Sequence, residues 1–295
     1  MSDSLTLERP ARSDLATSGA TVRRTRPAKG FDRPRFLTVI TALVFFYLFA
    51  PIVVVFWYSF NSRRSTQVFG TFSLTWYNVL LHDPRMLASL VASLEIAAVT
   101  MVVATVLGTL LAFGLVRART RLSRPTDVLM LLNLVSPEIV TAIALLLVFT
   151  QLGFRLSLTT VALGHITFSI AYVTIIVRGR IASINREVEE AALDLGANHL
   201  QSMRLVTLPL LWPAIVASGM LVFVMSFDDF ITSYFTTGIG VAPLPVRIYS
   251  AIHNAVSPEI NAIGTVMMVL TMSVVLLALF IFARQQQARL SFLAE

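Results

Sequence analysis

The chain is 295 residues long, 56% hydrophobic and only 13% charged, with a mean hydropathy of +0.78, whereas a soluble domain carries about a quarter charged residues. That balance excludes an ordinary soluble protein, and the absence of cysteine excludes disulfides, thiolate metal sites and cysteine nucleophiles. The formal net charge of +7 is read as topology rather than nucleic-acid affinity, because Lys and Arg collect on the cytoplasmic loops of membrane proteins.

Residues 1–35 are polar and basic and carry three prolines. Too little apolar surface is present to offset ordering entropy, so a disordered cytoplasmic tail is expected. The run 36–60 is a full-length first span with Pro51 inside it, not a cleaved signal. A loop, 61–87, precedes span 2 at 88–116, where Gly108 and Gly114 favour close helix packing. The basic loop 117–126 follows. Span 3, 127–151, is interrupted by Ser136-Pro137-Glu138. Span 4 is 158–177, the long polar loop is 178–207, and span 5 is 208–235. A Gly- and Pro-containing loop leads to span 6 at 261–283, and 284–295 is the tail. Each apolar run is long enough to cross about 30 Å of hydrocarbon as a helix. The expected fold is therefore an all-α membrane protein of six spans, one six-helix transmembrane domain over 36–283.

Six spans leave both termini on one side. The two tails and the loops 117–126 and 178–207 hold eighteen of the 23 Lys and Arg, which places them in the cytoplasm. Ser-Pro-Glu-Ile occurs at 136–139 and 257–260. Both copies suit a helix start, with Ser as N-cap and Glu near the positive end of the dipole.

The loop 178–207 carries ordered spacing. From Arg186 to Leu195, the residues Val188, Ala191, Ala192 and Leu195 share one apolar helix face. Gly196 is free to take positive φ and end that helix. Asn198 is placed to cap a second short helix with Leu200, Met203 and Leu205, and Pro209 falls near the start of span 5. The simplest reading is a surface helix. The spacing also resembles the EAA loop of ABC importer permeases: Glu190-Ala191-Ala192, three residues, Gly196, nine residues, then Val206-Thr207-Leu208-Pro209. The usual Ile is Val206 here.

Other stretches are similar to spermidine/putrescine permeases of the PotC/PotI type. They are Ser-Phe-Asn-Ser at 59–62, Trp76-Tyr77, Pro-Glu-Ile-Val at 137–140 and His-Ile-Thr-Phe at 165–168. Ala-Ala-Leu-Asp-Leu-Gly-Ala at 191–197, Ser-Phe-Asp-Asp at 226–229 and Ser-Pro-Glu-Ile-Asn-Ala at 257–262 continue the series. The resemblance implies a type I importer permease (MetI-like) fold with cytoplasmic coupling helices in 187–209, in a bacterial inner membrane. It implies a second permease as heterodimer partner, a dimer of ABC ATPase subunits and an extracytoplasmic solute-binding protein. In that family the loop docks on the ATPase, which assigns coupling to Glu190, Ala191, Ala192, Asp194, Gly196, Leu200 and Pro209.

Acids inside a membrane are costly and usually face a cavity or a partner. Asp228 and Asp229 lie in span 5, Glu138 follows Pro137, Glu95 is in span 2 and Glu259 starts span 6. A polyamine needs carboxylates and aromatic faces along its path. Phe227, Phe230, Tyr234 and Tyr249 are near the right level. Adjacent Asp228 and Asp229 are about 100° apart on a helix, so one is expected toward the path and one toward a neighbouring helix or a break. Glu259 reads as a helix-start acid, and Glu138 reads equally as a neutraliser of the Pro137 break. Glu95 departs from the family, where a neutral residue is expected. His165 is expected to be packed and hydrogen-bonded.

The chain has no P-loop, no metal-ligand spacing among its four histidines and no catalytic motif. No cofactor is expected, and ATP hydrolysis belongs on another subunit. Membrane lipid is an expected partner and nucleic acid is not. The cargo stays open between putrescine or spermidine and another small substrate: an opine-like amine, thiamine or ferric ion. An ion-gradient-driven secondary transporter is disfavoured by the lack of inverted repeats.

Overall fold

The computed structural model describes residues 35–65, 68–117, 123–254 and 258–292. Residues 1–34 of the expected N-terminal tail, residues 118–122 of the loop 117–126 and Ser257 therefore lie outside the described residues. The chain divides into two units, Met1–Pro51 and Ile52–Glu295. The first contributes the opening of α1 (Arg35–Tyr58), apolar on every side. Phe45 and Phe49 stack one turn apart there, at 5.9 Å.

The second unit is nearly all helix. After α1 come α2 (Thr75–His82), α3 (Pro84–Arg117), α4 (Ser123–Val135), α5 (Glu138–Gln151) and α6 (Leu158–Ala182). The polar loop forms α7 (Arg186–Asp194) and α8 (His199–Ser202). A π-helical turn, Met203–Thr207, then runs into α9 (Leu208–Asp228). The rest is α10 (Ile231–Thr236), α11 (Leu244–Asn254) and α12 (Glu259–Phe292). Among the described residues, five helices are long and apolar enough to cross a membrane, and a sixth span results if α4 and α5, bent by 112°, count as one.

Local chemistry accounts for the boundaries. Asn185 caps α7 by accepting the Glu187 N–H. At its other end Ala197 N–H donates to Ala192 O and Gly196 N–H to Leu193 O, with Gly196 at φ +92°. This is a Schellman stop, which a glycine adopts without steric cost. Asn198 and Gln201 form a reciprocal capping box on α8. Pro209 has no N–H to give Leu205 O, and the turn before it widens so that Leu208 N–H reaches Met203 O. The second short helix is thus one turn long, and Met203 and Leu205 belong to the widened turn.

Helices α3, α6 and α9 pack as one block. Ala104 and Ala112 of α3, Val173 and Val177 of α6, and Leu211, Ile215 and Val222 of α9 form its core. Gly108 makes the α3–α6 approach close: a Cβ there would lie 2.6 Å from Val173 Cβ. Gly219 does the same between α9 and Thr105 of α3, at 3.0 Å. Gly114, read from the sequence as a second packing glycine, faces open space. A second core joins Leu80 and Met86 to Phe227, Leu244 and Ile263.

Several expectations are corrected. The segments 75–82 and 244–254, read as loop, contain α2 and α11, and α12 continues through 284–292. Ser136 does not cap α5: its hydroxyl donates backward to Leu132 O, and the N-cap position is Pro137. Span 5 is not one helix to 235, because the chain breaks at Asp229 and restarts at Ile231.

Candidate functional site

Two helix breaks face each other in the second unit. One is the Ser136-Pro137 step between α4 and α5. The other is at Asp229, whose extended backbone (φ −63°, ψ 119°) ends α9 before α10 begins. Irregular backbone at membrane depth is tolerated only where protein buries it or where it lines a water-filled cavity. Here it lines a cavity of about 640 Å³, walled by Asn133, Ser136, Glu138, Thr141, Phe168, Tyr172, Asp228, Asp229 and Phe230 among others.

Asp228 is exposed, whereas Asp229 is buried. The two carboxylates point apart, as neighbours at a helix end must. Asp229 turns toward α6, where Oδ1 lies 3.1 Å from His165 Nε2 and accepts the Ser233 N–H at 3.0 Å. His165 is fully buried, and its Nδ1 lies 2.7 Å from Ser226 Oγ. With hydrogen on Nε2, the ring donates to Asp229 and accepts from the Ser226 hydroxyl. Thr160 Oγ1 also donates to Thr236 O, tying the start of α6 to the end of α10. The broken helix is therefore held to α6 at two levels.

Glu138 opens α5, exposed, on the same cavity wall as Asp228 and Asp229. Three carboxyl groups thus converge on one cavity. Asp229 is already partnered by His165, so a cation entering the cavity meets the exposed carboxyl groups of Glu138 and Asp228 first. The carbonyl end of α9 adds negative potential in the same direction. The amide end of α5 is positive, and Glu138 sits on it and offsets it. The arrangement suits an organic cation.

Of the aromatic residues named from the sequence, Phe227 is buried in the second core, stacked on Phe223 at 6.1 Å, and does not reach the cavity. Phe230 is on the wall. It packs on Tyr249 and Tyr234 with ring centroids 4.7 and 5.4 Å away, and the half-exposed tyrosines extend the aromatic surface beyond the cavity. Glu95 is exposed on α3 and does not line the cavity. Thr141, Tyr172 and Asn133 are wall residues that no sequence motif marked.

The loop residues lie elsewhere. Glu190, Ala191, Asp194, Gly196, Leu200 and Pro209 are exposed and Ala192 is half-buried. Leu195, Leu200 and Leu205 are 90%, 67% and 71% exposed, an apolar surface unusual for a polar loop.

Residues 104–292 match the family described as binding-protein-dependent transport system inner membrane component. The chain is 36% identical over 259 residues to the putrescine transport system permease protein PotI of Escherichia coli (strain K12), covering 85% of this chain and 92% of the relative. It is 35% identical over 248 residues to the spermidine/putrescine transport system permease protein PotC of Haemophilus influenzae, covering 84% and 95%. Among solved structures, a bacterial ABC transporter involved in the import of the acidic polysaccharide alginate aligns with a TM-score of 0.61 at 18% identity, over 88% of this chain and 99% of that one. An amino acid ABC transporter with histidines aligns with a TM-score of 0.58 at 18% identity, over 71% and 98%. These last two are likenesses of fold.

Proposed function

Since this chain belongs to the family of binding-protein-dependent transport system inner membrane components, we propose that it is a permease subunit of an ATP-driven importer and that its acid-lined cavity passes a polyamine. The identity to putrescine and spermidine/putrescine permeases supports the cargo class. The observation that carries the reading is the meeting of Glu138, Asp228 and Asp229 at two facing helix breaks, with Phe230 beside them. A polyamine carries ammonium groups on an apolar stem. Carboxylates take the former and an aromatic face takes the latter.

The chain itself supplies a path, not a reaction. Hydrolysis of ATP belongs to separate ATPase subunits, and a second permease supplies the rest of the path as heterodimer partner. A solute-binding protein delivers cargo from outside. The loop 187–209 lies in the cytoplasm with both termini, and α7 and α8 dock on the ATPase through the exposed leucines 195 and 200. Each transport step then begins as a push on α7.

The test uses the assembled complex in proteoliposomes, with ATP enclosed and with putrescine and the solute-binding protein outside. Asp228→Asn and Glu138→Gln are expected to reduce uptake on the order of tenfold or more, as loss of a charged partner does. Equal uptake by both variants in an intact complex would remove the cavity from the cargo's path.

A further inference from the structure

Glu189 precedes the Glu190-Ala191-Ala192 triplet and belongs to none of the motifs above. Three elements meet at its Oε1. Arg117, the last residue of α3, brings a guanidinium nitrogen to 2.7 Å. Thr207, the last residue of the π-helical turn, donates its hydroxyl to the same oxygen. Glu189 itself rides on the first turn of α7. Arg117 also lies over the Phe113 ring at 5.6 Å, and Phe113 packs on the core shared by α3, α6 and α9.

We propose that Glu189 is a positioning residue for transport, the joint through which displacement of α7 reaches α3 and α9 together. This rests on the reading of α7 as a docking helix for the ATPase. Helix α7 has no fully buried residue, so no deep apolar packing fixes it to the block. Asn185 already caps it, so Glu189 is not needed as a cap. A half-exposed ion pair contributes little to folding. What the joint supplies is connection. Thr207 is buried and leads directly into α9, whose far end carries Asp228. The close approaches at Gly108 and Gly219 pack α3 tightly against α6 and α9. A shift of α7 is thereby delivered along α9, about 30 Å at 1.5 Å per residue, to the break that lines the cavity.

The experiment measures putrescine moved per ATP hydrolysed by the complete complex in proteoliposomes. Glu189→Gln, Thr207→Val and Arg117→Gln are expected to lower that ratio on the order of tenfold, with the ATPase copurifying in normal amount. Arg117→Glu and Glu189→Arg alone lower it further, and the two together recover most of it. An unchanged ratio in Glu189→Gln and Thr207→Val overturns the proposal, as does failure of the charge exchange to recover it. Loss of the ATPase from every variant also overturns it, since the joint is then only structural. A Leu195→Cys crosslink to the ATPase is run alongside. Its absence in the otherwise wild-type chain removes the docking reading, whereas its presence with an unchanged ratio removes the joint alone.

Discussion

Asp228 and Asp229 are adjacent in sequence and opposite in environment, and they should respond differently to substitution. Asp228 is exposed and makes no ion pair with this chain's described residues. Asp228→Asn should therefore impair uptake while leaving the thermal midpoint of the purified complex nearly unchanged. Asp229 is buried against His165. Replacing His165 by Leu leaves a carboxylate without its partner inside the protein, a loss of about 3–5 kcal/mol. That should appear as a lowered midpoint and reduced yield, and His165→Gln, which keeps a donor, should recover part of both. The acid pair was legible because charges are rare in apolar runs. The aromatic wall was only half legible: Phe227 and Phe230 are three residues apart, and the break at Asp229 decides which of them faces the cavity. Glu189 was not legible at all. It is one acid among several on a polar helix, and its cation lies 72 residues earlier in the chain.

The ends of the two short loop helices were better read than those of the spans. The Asn198 cap and the Gly196 stop follow from local hydrogen bonding, which needs no tertiary information, whereas the Asn185 cap carried no sequence reading. At Gly196 the backbone sits at φ +92° with open space around it. Gly196→Ala should cost about 1–2 kcal/mol of local strain and loosen the α7–α8 corner, read as faster amide hydrogen exchange at 195–198. Gly108 tests the opposite situation, since its backbone is ordinary but its surroundings are full. Gly108→Val should force α3 from α6 and cost at least about 1–3 kcal/mol, seen as a lowered thermal midpoint. Elements that depend on partners were missed. Pro243 and Pro245 read as loop residues, yet Pro245 falls in the first turn of α11, where a missing N–H costs nothing. The break before α10 has no proline or glycine to announce it. It is held by His165, Thr160 and Ser233, all brought together by the fold.

The span count followed from hydropathy because lipid demands about twenty apolar residues per crossing. Sidedness is an expectation that rests on the distribution of Lys and Arg alone. The absence of cysteine makes this testable without background. A single cysteine at Leu200 should react with a membrane-impermeant maleimide from the cytoplasmic side only, and one at Val241 from the outer side only. The reverse pattern would invert the whole assignment. One feature of this architecture bears on how the protein is made. The legs on either side of the 112° bend are 13 and 14 residues long, each about 20 Å, short of the hydrocarbon thickness. A nascent chain offers the translocon no ordinary crossing at that point. Membrane integration of this broken span should then wait on the helices synthesised after it. A single cysteine at Arg155 should stay beyond the reach of an impermeant maleimide on the outer side in ribosome-bound products that end before α9, and react in products extended well past Thr236.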